Sequence, residues 1–315
     1  MQKIFFRADA GQEIGYGHFI RTLALAHILK NDFDCSFYTS EPTEYQVREM
    51  KKVCKFVALK EETKFEDFLS CLSGSEIVVL DNYFYTTNYQ IKIKEKGCKL
   101  VCIDDLHDKH FVADAVINYT PGISEKWYEK ERYTKLYLGL DYVLLRKPFI
   151  EANFLNERNN NLIVNFGGTD PFNTTDNIVS KLCQIRNPYN IIAILGNNAY
   201  LSTENRRKVQ VFTNLSAEQM ANLFDASIAA ILCSSTVCIE ALSRGVKVIA
   251  GYDVDNQLQM YEKLKEGNYI IPIGDLSKIG IKELSTALNS INSFIPRSLS
   301  FIGISERFLS IFNNF

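Results

Sequence analysis

The chain has 315 residues, enough for about two domains, and 46% of them are hydrophobic, enough to bury a core in each. The formal net charge is only -2, so no basic surface field is present to recruit nucleic acid or anionic lipid. A phosphate-bearing ligand would therefore need a local site of backbone amides and a few side chains.

The eight cysteines are scattered, and none forms a C-x-x-C pair. This distribution favours small buried side chains in a reducing compartment over disulfides or a zinc site. The N-terminal residues lack a signal-peptide pattern, and no apolar run approaches the ~18 residues that a membrane span needs. We therefore expect a cytoplasmic protein with no membrane span, and either a monomer or a weak oligomer.

Short apolar runs predict two series of β-strands with helical patterns between most of them. The first series begins at 3–6, 35–38, 77–80, 100–103 and 115–117, and the second at 162–166, 191–194, 209–211, 228–232, 246–249 and 269–271. Strands rich in Val and Ile with helices between them predict parallel sheets covered on both faces.

The polar stretch 156–161 is typical of a linker and divides the two series. We therefore expect two similar open-sheet domains, 1–154 and 155–315. Residues 301–312 have apolar side chains at helical spacing and predict a helix that closes the second domain. Ligands of such sheets bind outside the carboxyl ends of the strands, so two facing domains would form one cleft.

The first candidate site follows the first strand, in a loop that starts with Arg7 and Asp9 and leads into a helix over 19–30. Gly15 and Gly17 allow a tight turn and the close approach of a ligand to the backbone. His18 would lie in the first turn of the helix, where the helix dipole disfavours the imidazolium form. A neutral imidazole is a competent general base, although a plain turn with a packed histidine is an open alternative.

Two further loops follow strands of the second series. Gly167, Gly168 and Thr169 end its first strand, and Thr169 or Asp170 can cap the next helix. Ser234, Ser235 and Thr236 follow a later strand and begin a helix, so their amides and hydroxyls could hold phosphate oxygens. Ordinary turns and helix caps explain both loops equally well.

Three weaker candidates complete the set. Glu240 lies one turn inside the helix that begins near Thr236, where a carboxylate could accept hydrogen bonds from a ribose. Asn256 and Gln257 lie near a helix start and could bind sugar hydroxyl or acetamido groups, although a capped surface helix is the simpler interpretation. Other polar residues at strand ends are Asp81, Tyr83, Asp104 and Asp105, and aspartates at strand ends are often helix caps.

Taken together, these motifs resemble the UDP-2,4-diacetamido-2,4,6-trideoxy-β-L-altropyranose hydrolases of pseudaminic acid synthesis. Some relatives of that family are labelled spore-coat polysaccharide biosynthesis proteins. The resemblance spans nearly the whole chain and rests on 7–9, 14–18, 21–26, 81–83, 103–105, 142–146, 167–170, 234–240, 256–257 and 303–312. The first of these motifs is specific, whereas the later ones are shared with GT-B glycosyltransferases.

The resemblance implies a GT-B-type α/β fold, with two Rossmann-like open-sheet domains that face a cleft. It implies a hydrolase in which water attacks the anomeric carbon with inversion and UDP is released. His18 corresponds to the family's catalytic histidine and Tyr83 to a tyrosine that lines its site. UDP would lie mainly on the second domain, against Ser234–Thr236 and Glu240. The family usually has histidine at the position of Asn82, so the exact sugar stays open.

Helix termini and hydroxyl groups can stabilise a departing UDP without a cation, so we expect no metal and no cofactor. The better of two possible metal-ligand pairs is Asp253 with Asp255, which follows a strand. The alternative function is a GT-B glycosyltransferase, in which the histidine would deprotonate a sugar hydroxyl instead of water. A sugar-nucleotide sensor without catalysis is a third alternative, and the intact Gly17-His18 pair argues against it.

Overall fold

The structure is a computed structural model that describes residues 1–11, 14–151, 157–196, 199–299 and 301–315. The chain forms two compact units, one made of Met1–Lys147 with Ile302–Phe315 and the other of Pro148–Phe301. This division differs from the predicted domains 1–154 and 155–315. The first unit ends earlier, at Lys147, and it includes the C-terminal helix that we had assigned to the second domain.

The first unit contains a sheet of parallel strands. Its strands are β1 Lys3–Ala8, β2 Asp34–Ser40, β3 Lys55–Leu59, β4 Ile77–Asp81, β5 Lys99–Ile103, β7 Ala115–Asn118 and β9 Lys135–Leu138, and a separate pair is β6 His110–Phe111 with β8 Glu129–Lys130. The order across the main sheet is β3-β2-β1-β4-β5-β7-β9. Because the order reverses between β1 and β4, their carboxyl ends flank the switch point where such sheets bind ligands.

Helices cover the sheet of the first unit. They are α1 Gly17–Leu29, α2 Glu44–Lys51, α3 Lys64–Ser70, α4 Thr87–Glu95 and, at the C-terminus, α12 Ile304–Asn313, with short 3-10 turns at Glu125–Trp127 and Leu140–Tyr142. Helix α1 is buried on nearly every side because it packs on β1, β2 and β4 and is also contacted by α12. The ring of Phe312 meets that of Phe33, just after α1, with centroids 6.3 Å apart. The closing helix therefore exists, but it closes the first unit.

The second unit repeats the architecture. Its strands are β10 Asn159–Asn165, β11 Asn190–Leu195, β12 Gln210–Thr213, β13 Ser227–Cys233, β14 Lys247–Tyr252 and β15 Ile271–Asp275, and its helices are α6 Thr174–Leu182, α7 Thr203–Arg206, α8 Ala217–Asp225, α9 Thr236–Ser243, α10 Asp255–Glu266 and α11 Ile281–Ser290; the short α5 Lys147–Ile150 begins at the junction of the units. The parallel order is β12-β11-β10-β13-β14-β15, with the reversal between β10 and β13.

The predicted linker 156–161 is partly wrong, because residues 159–161 begin β10. Residues 152–156 lie outside the described residues.

A buried ion pair in the second unit helps to join the end of α8 to the segment before β10. Arg244 forms a bidentate pair with Asp225, both side chains are almost fully buried, and Arg244 also donates to the carbonyl of Pro148 at 2.9 Å. Arg158 donates to three carbonyl groups around the same point, those of Phe224, Ser227 and Arg244. These contacts attach the start of β10 and the segment before it to the end of α8.

Candidate functional site

The loop after β1 shapes the start of α1. Gly15 has a φ of 71°, in the left-handed region that favours glycine, and its backbone exchanges hydrogen bonds with that of Gly11 at 2.9 and 3.2 Å. A Cβ added at Gly17 would meet none of the described atoms within 4 Å outside the neighbouring residues and the helix's own backbone, so this glycine leaves open space at the first residue of the helix. The N-cap residue Tyr16 makes no side-chain capping bond. The helix start is therefore suited to an anion.

His18 lies in the first turn of α1 and is only 4% exposed. Its Nδ1 atom is 2.7 Å from Oδ1 of Asp81, the last residue of β4. A carboxylate at Nδ1 favours the tautomer that carries its proton there, which leaves the Nε2 lone pair to accept a proton. The ring also meets Tyr83 edge-on, with centroids 4.5 Å apart. The geometry is that of an oriented general base at the switch point of the sheet.

Asp81 is fully buried and every contact made to it favours its charged form. Arg21 donates to both carboxylate oxygens, from Nε and Nη2, each at 2.6 Å, and the hydroxyl of Thr22 donates at 2.8 Å. Burial alone would raise the pKa of Asp81, but the charge of Arg21 and the contact with His18 lower its pKa overall. Asp81 therefore stays ionised and can stabilise an imidazolium ring.

Arg21 connects this pair to a second carboxylate. Its Nη1 donates to Oδ2 of Asp105 at 3.0 Å, and the hydroxyl of Tyr83 donates to the same oxygen at 3.2 Å. Burial lowers the pKa of the Arg21 guanidinium, yet Asp81 and Asp105 raise it well above its usual range. Arg21 is therefore a permanent buried cation between two carboxylates.

Arg7 and Asp9 differ from our expectation of ligand contacts. Arg7 is completely buried and Asp9 nearly so, and the two form a bidentate ion pair. Asp9 also accepts from the backbone N–H of Ser40 at 2.7 Å, and its own N–H donates to Oδ1 of Asn82 at 2.7 Å. These side chains fasten the ends of β1, β2 and β4 together. The ion pair therefore stabilises the start of the loop that carries Gly15 and His18.

In the second unit, Gly167, Gly168 and Thr169 follow β10 at the switch point of the sheet. Gly167 has a φ of 94°, so a side chain there would strain the backbone. A Cβ added to Gly196 would lie 2.0 Å from the carbonyl oxygen of Gly168, which shows how closely the loops after β10 and β11 approach. Asp170, which has a φ of 40°, accepts from the N–H groups of Thr174 and Thr175, so it is the predicted helix cap.

The second strand at this switch point, β13, leads into Ser234, Ser235 and Thr236. Ser234 is 1% exposed and its N–H donates to the carbonyl of Gly251 at 2.8 Å. The Ser234 hydroxyl has no hydrogen-bond partner among the described residues, and neither does the buried hydroxyl of Thr175. Ser235 is the N-cap of α9 but makes no side-chain capping bond, and Thr236 begins the helix. Unused donors therefore accompany this helix start.

Glu240 lies within α9 and is 2% exposed, a burial similar to that of Ser234 at the start of the same turn. Gln257 and Asn256 lie in the first turn of α10, after β14. Gln257 Oε1 accepts from the N–H of Asp253 at 3.0 Å, so this carboxamide attaches the first turn of α10 to the residue two positions before the helix. Asn256 lies beside it in the same turn.

Asp253 stands beside these loops in the second unit. Its Oδ1 accepts from the hydroxyl of Thr174 at 3.3 Å. Burial raises its pKa to about 6; the hydrogen bond from Thr174 opposes this shift, and the charges of Asp170 and Asp275 add to it. Within the described ranges, no cluster of three or more His, Cys, Asp or Glu side chains is placed to hold a metal ion.

The sequence analysis did not identify three residues as direct or indirect partners of His18. Asp81 and Asp105 were noted only as strand-end residues, and Arg21 only as part of a motif. A pairing of β1 with β4 would have placed Asp81 opposite the loop that carries His18. In the sequence, two other strands, β2 and β3, lie between β1 and β4. The pairing of β1 with β4 could therefore be predicted only by assuming the strand order of a Rossmann-like sheet.

Two named proteins are similar to this chain in sequence over most of its length. A UDP-2,4-diacetamido-2,4,6-trideoxy-β-L-altropyranose hydrolase of Campylobacter jejuni is 29% identical over 262 residues, which is 76% of this chain and 88% of that protein. The spore coat polysaccharide biosynthesis protein SpsG of Bacillus subtilis is 24% identical over 307 residues, 93% of this chain and 90% of that one. Over most of its length the chain is therefore similar in sequence to proteins that carry these names. An uncharacterized protein of Methanocaldococcus jannaschii is 24% identical over 303 residues, and this chain spans only 62% of its length.

No family profile matches the chain. Among solved structures, MurG of Acinetobacter baumannii superimposes with a TM-score of 0.66 at 11% identity, with both chains covered completely. UGT89C1 of Arabidopsis thaliana complexed with UDP-L-rhamnose superimposes with a TM-score of 0.67 at 10% identity, over 98% of this chain and 94% of that one. The predicted GT-B-type fold is confirmed. In the part of the chain that the structure describes, no helix is long and apolar enough to cross a membrane.

Proposed function

We propose that the protein is a nucleotide-sugar hydrolase that cleaves the C1–O bond of a UDP-linked diacetamido-trideoxy sugar and releases UDP. The pathway would be the synthesis of pseudaminic or another nonulosonic acid, or of a surface polysaccharide. The names of the Campylobacter and Bacillus relatives support this proposal. The observation that carries it is the 2.7 Å contact between His18 and Asp81 at the start of α1.

In the proposed reaction, Nε2 of His18 removes a proton from water. The O–H electron pair forms the new bond to C1 as the C1–O pair leaves with UDP. Asp81 keeps the ring in the required tautomer and stabilises its positive charge. Water attacks the face opposite the leaving group, so the proposed reaction inverts C1.

The second unit would bind UDP at the loops after β10 and β13. The diphosphate would accept hydrogen bonds from Gly167, Gly168 and Thr169 and from the Ser234–Thr236 turn, whose helix start favours negative charge. The free hydroxyl of Ser234 supports this assignment. Asn256 would lie towards the sugar. Gln257 would contribute by holding the turn before α10 in place through its bond to Asp253. We propose that the carboxylate of Glu240, one turn inside α9, accepts hydrogen bonds from the ribose. These donors make the reaction independent of a metal.

The deciding experiment incubates the purified protein with UDP-2,4-diacetamido-2,4,6-trideoxy-β-L-altropyranose, with UDP-N-acetylglucosamine as the comparison and with no acceptor. We expect UDP and free sugar in equal amounts from the first substrate. His18→Asn should fold and bind UDP but lose at least ~10²-fold in turnover, the usual scale for a general base. Near-normal turnover in this variant would contradict the assigned role of His18.

A GT-B glycosyltransferase is the second candidate, because MurG and UGT89C1 have the same fold. The same base would then deprotonate an acceptor hydroxyl. The experiment above separates the two functions, because a transferase would release UDP only slowly until an acceptor is added.

A further inference from the structure

Four charged or titratable side chains form one hydrogen-bonded group around His18. We name His18, Arg21, Asp81 and Asp105 the His18 cluster. They come from α1, the end of β4 and the residues after β5, and no two elements could assemble them alone. Arg21 and Asp81 are almost completely buried, and the side chain of Asp105 is 24% exposed.

Arg21 is the centre of the His18 cluster. Three of its nitrogen atoms donate to the two carboxylates, at 2.6, 2.6 and 3.0 Å, and Nη2 also lies 3.0 Å from Nδ1 of His18. Asp81 alone would already neutralise Arg21. The second carboxylate, Asp105, therefore adds a negative charge that the cation does not require.

The charges of the cluster can be counted. With a neutral His18 ring, Arg21 contributes +1 and the two aspartates −2, so the total is −1. When the ring accepts a proton the total becomes 0. Because buried charge is least costly when it is balanced, this composition favours the protonated ring that forms during general-base catalysis.

Other charged and polar groups beside the cluster, Lys109 among them through its bond to the carbonyl of Tyr83, are the same before and after His18 takes up a proton, so they do not change the difference that Asp105 makes. Thr22 and Tyr83 contribute neutral hydroxyl groups, and the ring of Tyr119 lies 5.9 Å from the Arg21 guanidinium. Arg7 and Asp9, beside the end of β4, neutralise each other. Asp104, next to Asp105, accepts from Tyr128, and burial raises its pKa.

We propose that Asp105 is a positioning residue which, through Arg21, balances the positive charge that His18 acquires when it takes a proton from the attacking water. The proposal rests on the proposed function in one respect, that His18 is the base. Asp105 makes no bond to the ring in this arrangement. It fixes the position of Arg21. It also supplies the negative charge that brings the total charge of the cluster to zero when the ring takes up a proton.

The test is an NMR titration of the His18 ring, which needs no substrate. The protein is labelled with ¹⁵N-histidine, and the His18 signal is assigned by its loss in His18→Asn. Asp105→Asn makes the cluster total 0 with a neutral ring and +1 after protonation. Because the variant loses the negative charge that balances the protonated ring, we expect the His18 signal to titrate at lower pH than in the unmodified protein.

Asp108→Asn is the matched control, because it removes the same charge from an exposed residue of the same loop that pairs with Lys109. It should leave the His18 titration in place. Arg21→Gln makes the total −2 with a neutral ring and should move the titration in the opposite direction. If Arg21→Gln does not fold, the comparison of Asp105→Asn with Asp108→Asn still decides the question.

An unchanged His18 titration in Asp105→Asn overturns the proposal, as does an equal shift in Asp108→Asn. In turnover, the low-pH limb of the kcat/KM profile should move with the NMR titration. Failure of the proposed function is a separate outcome. The protein would then release no UDP from any UDP-sugar, while the NMR shifts in the substrate-free protein would still report the charge relationship.

Discussion

Oδ1 of Asp81 lies 2.7 Å from Nδ1 of His18, although 63 residues separate the two in the sequence. Asp81 ends β4 and His18 lies in the first turn of the helix after β1, and these strands flank the point where the strand order reverses. The contact therefore joins the two sides of the crevice in which open α/β sheets bind ligands. The contact fixes the orientation of the His18 ring that our proposal requires of a general base.

Replacing Asp81 tests this contact directly. Asp81→Asn keeps the size of the side chain but removes the charge and can stabilise the wrong tautomer of His18, so kcat/KM should fall by about 10²–10⁴-fold. The double variant with His18→Asn should be no slower than His18→Asn alone, because the two residues act as a unit. Thr22→Val is the control, since it removes only the hydrogen bond to Oδ2 of Asp81 and should cost less than tenfold. Additive losses in the double variant would show that Asp81 acts independently of His18.

Much of this fold could be predicted because its signals are local. Buried parallel strands are continuous apolar runs, and the predicted strands at 77–80, 100–103 and 228–232 are present with shifts of one residue or less. The strands β3 and β9 were missed. Both lie at the edges of the first sheet, where one face is exposed and the apolar run is weak.

The site was harder to predict because it depends on strand order. The glycines and His18 could be proposed as candidates from their position between a strand and a helix. The partners of His18 could not, since Asp81 follows the fourth strand in the sequence and becomes a neighbour only through the pairing of β1 with β4. From the sequence, Arg7 and Asp9 could be either ligand-binding groups or a buried ion pair. The structure shows the buried ion pair.

Ser234→Ala tests the proposed diphosphate site. The buried hydroxyl has no partner among the described residues, so its removal should cost little stability, whereas a lost hydrogen bond to a charged phosphate costs about 1.5–3 kcal/mol. We expect UDP to bind at least tenfold more weakly by calorimetry. Ser227→Ala is the matched control, because Ser227 begins the same strand and its hydroxyl donates to the carbonyl of Leu223. It should lower stability by about 1 kcal/mol and leave UDP affinity unchanged. Equal UDP affinity in both variants would remove Ser234 from the site.

Asp253 predicts a pH dependence of stability. Its pKa in the folded protein is about 6, above the usual value of 3.8, so the folded chain holds this proton over a pH range in which the unfolded chain has lost it. Stability should therefore fall as pH rises from about 4 to 6, and the penalty should persist above that window. Asp253→Asn removes the penalty and can still accept from Thr174.

The measurement is urea unfolding of both proteins at pH 4 and pH 7.5. Because Asp253 is partly exposed, we expect a gain of only about 1–2 kcal/mol at pH 7.5, and none at pH 4. Asp255→Asn removes the same charge two residues further on and should not reproduce the gain. An equal effect of Asp253→Asn at both pH values would contradict the role of burial at this carboxyl group.

The stereochemistry of the reaction provides the last prediction. A retaining mechanism needs a carboxylate nucleophile in addition to the acid or base. Three carboxylates near His18 are already engaged, since Asp9 pairs with Arg7, Asp81 binds the ring itself, and Asp104 accepts from Tyr128 and from the N–H of His107. Direct attack by water, with inversion, is therefore the expected course.

Hydrolysis in ¹⁸O-labelled water should place the label on the C1 hydroxyl of the sugar and leave UDP unlabelled. The first-formed sugar, observed by rapid NMR before mutarotation, should have the opposite anomeric configuration to the substrate. Label in UDP would instead mean attack at phosphorus, and His18 would need a different role. Retention at C1 would point to Asp105, the partly exposed carboxylate of the His18 cluster. In that case Asp105→Asn would abolish turnover completely, whereas a charge-balancing role leaves a slow inverting reaction whose pH profile is shifted.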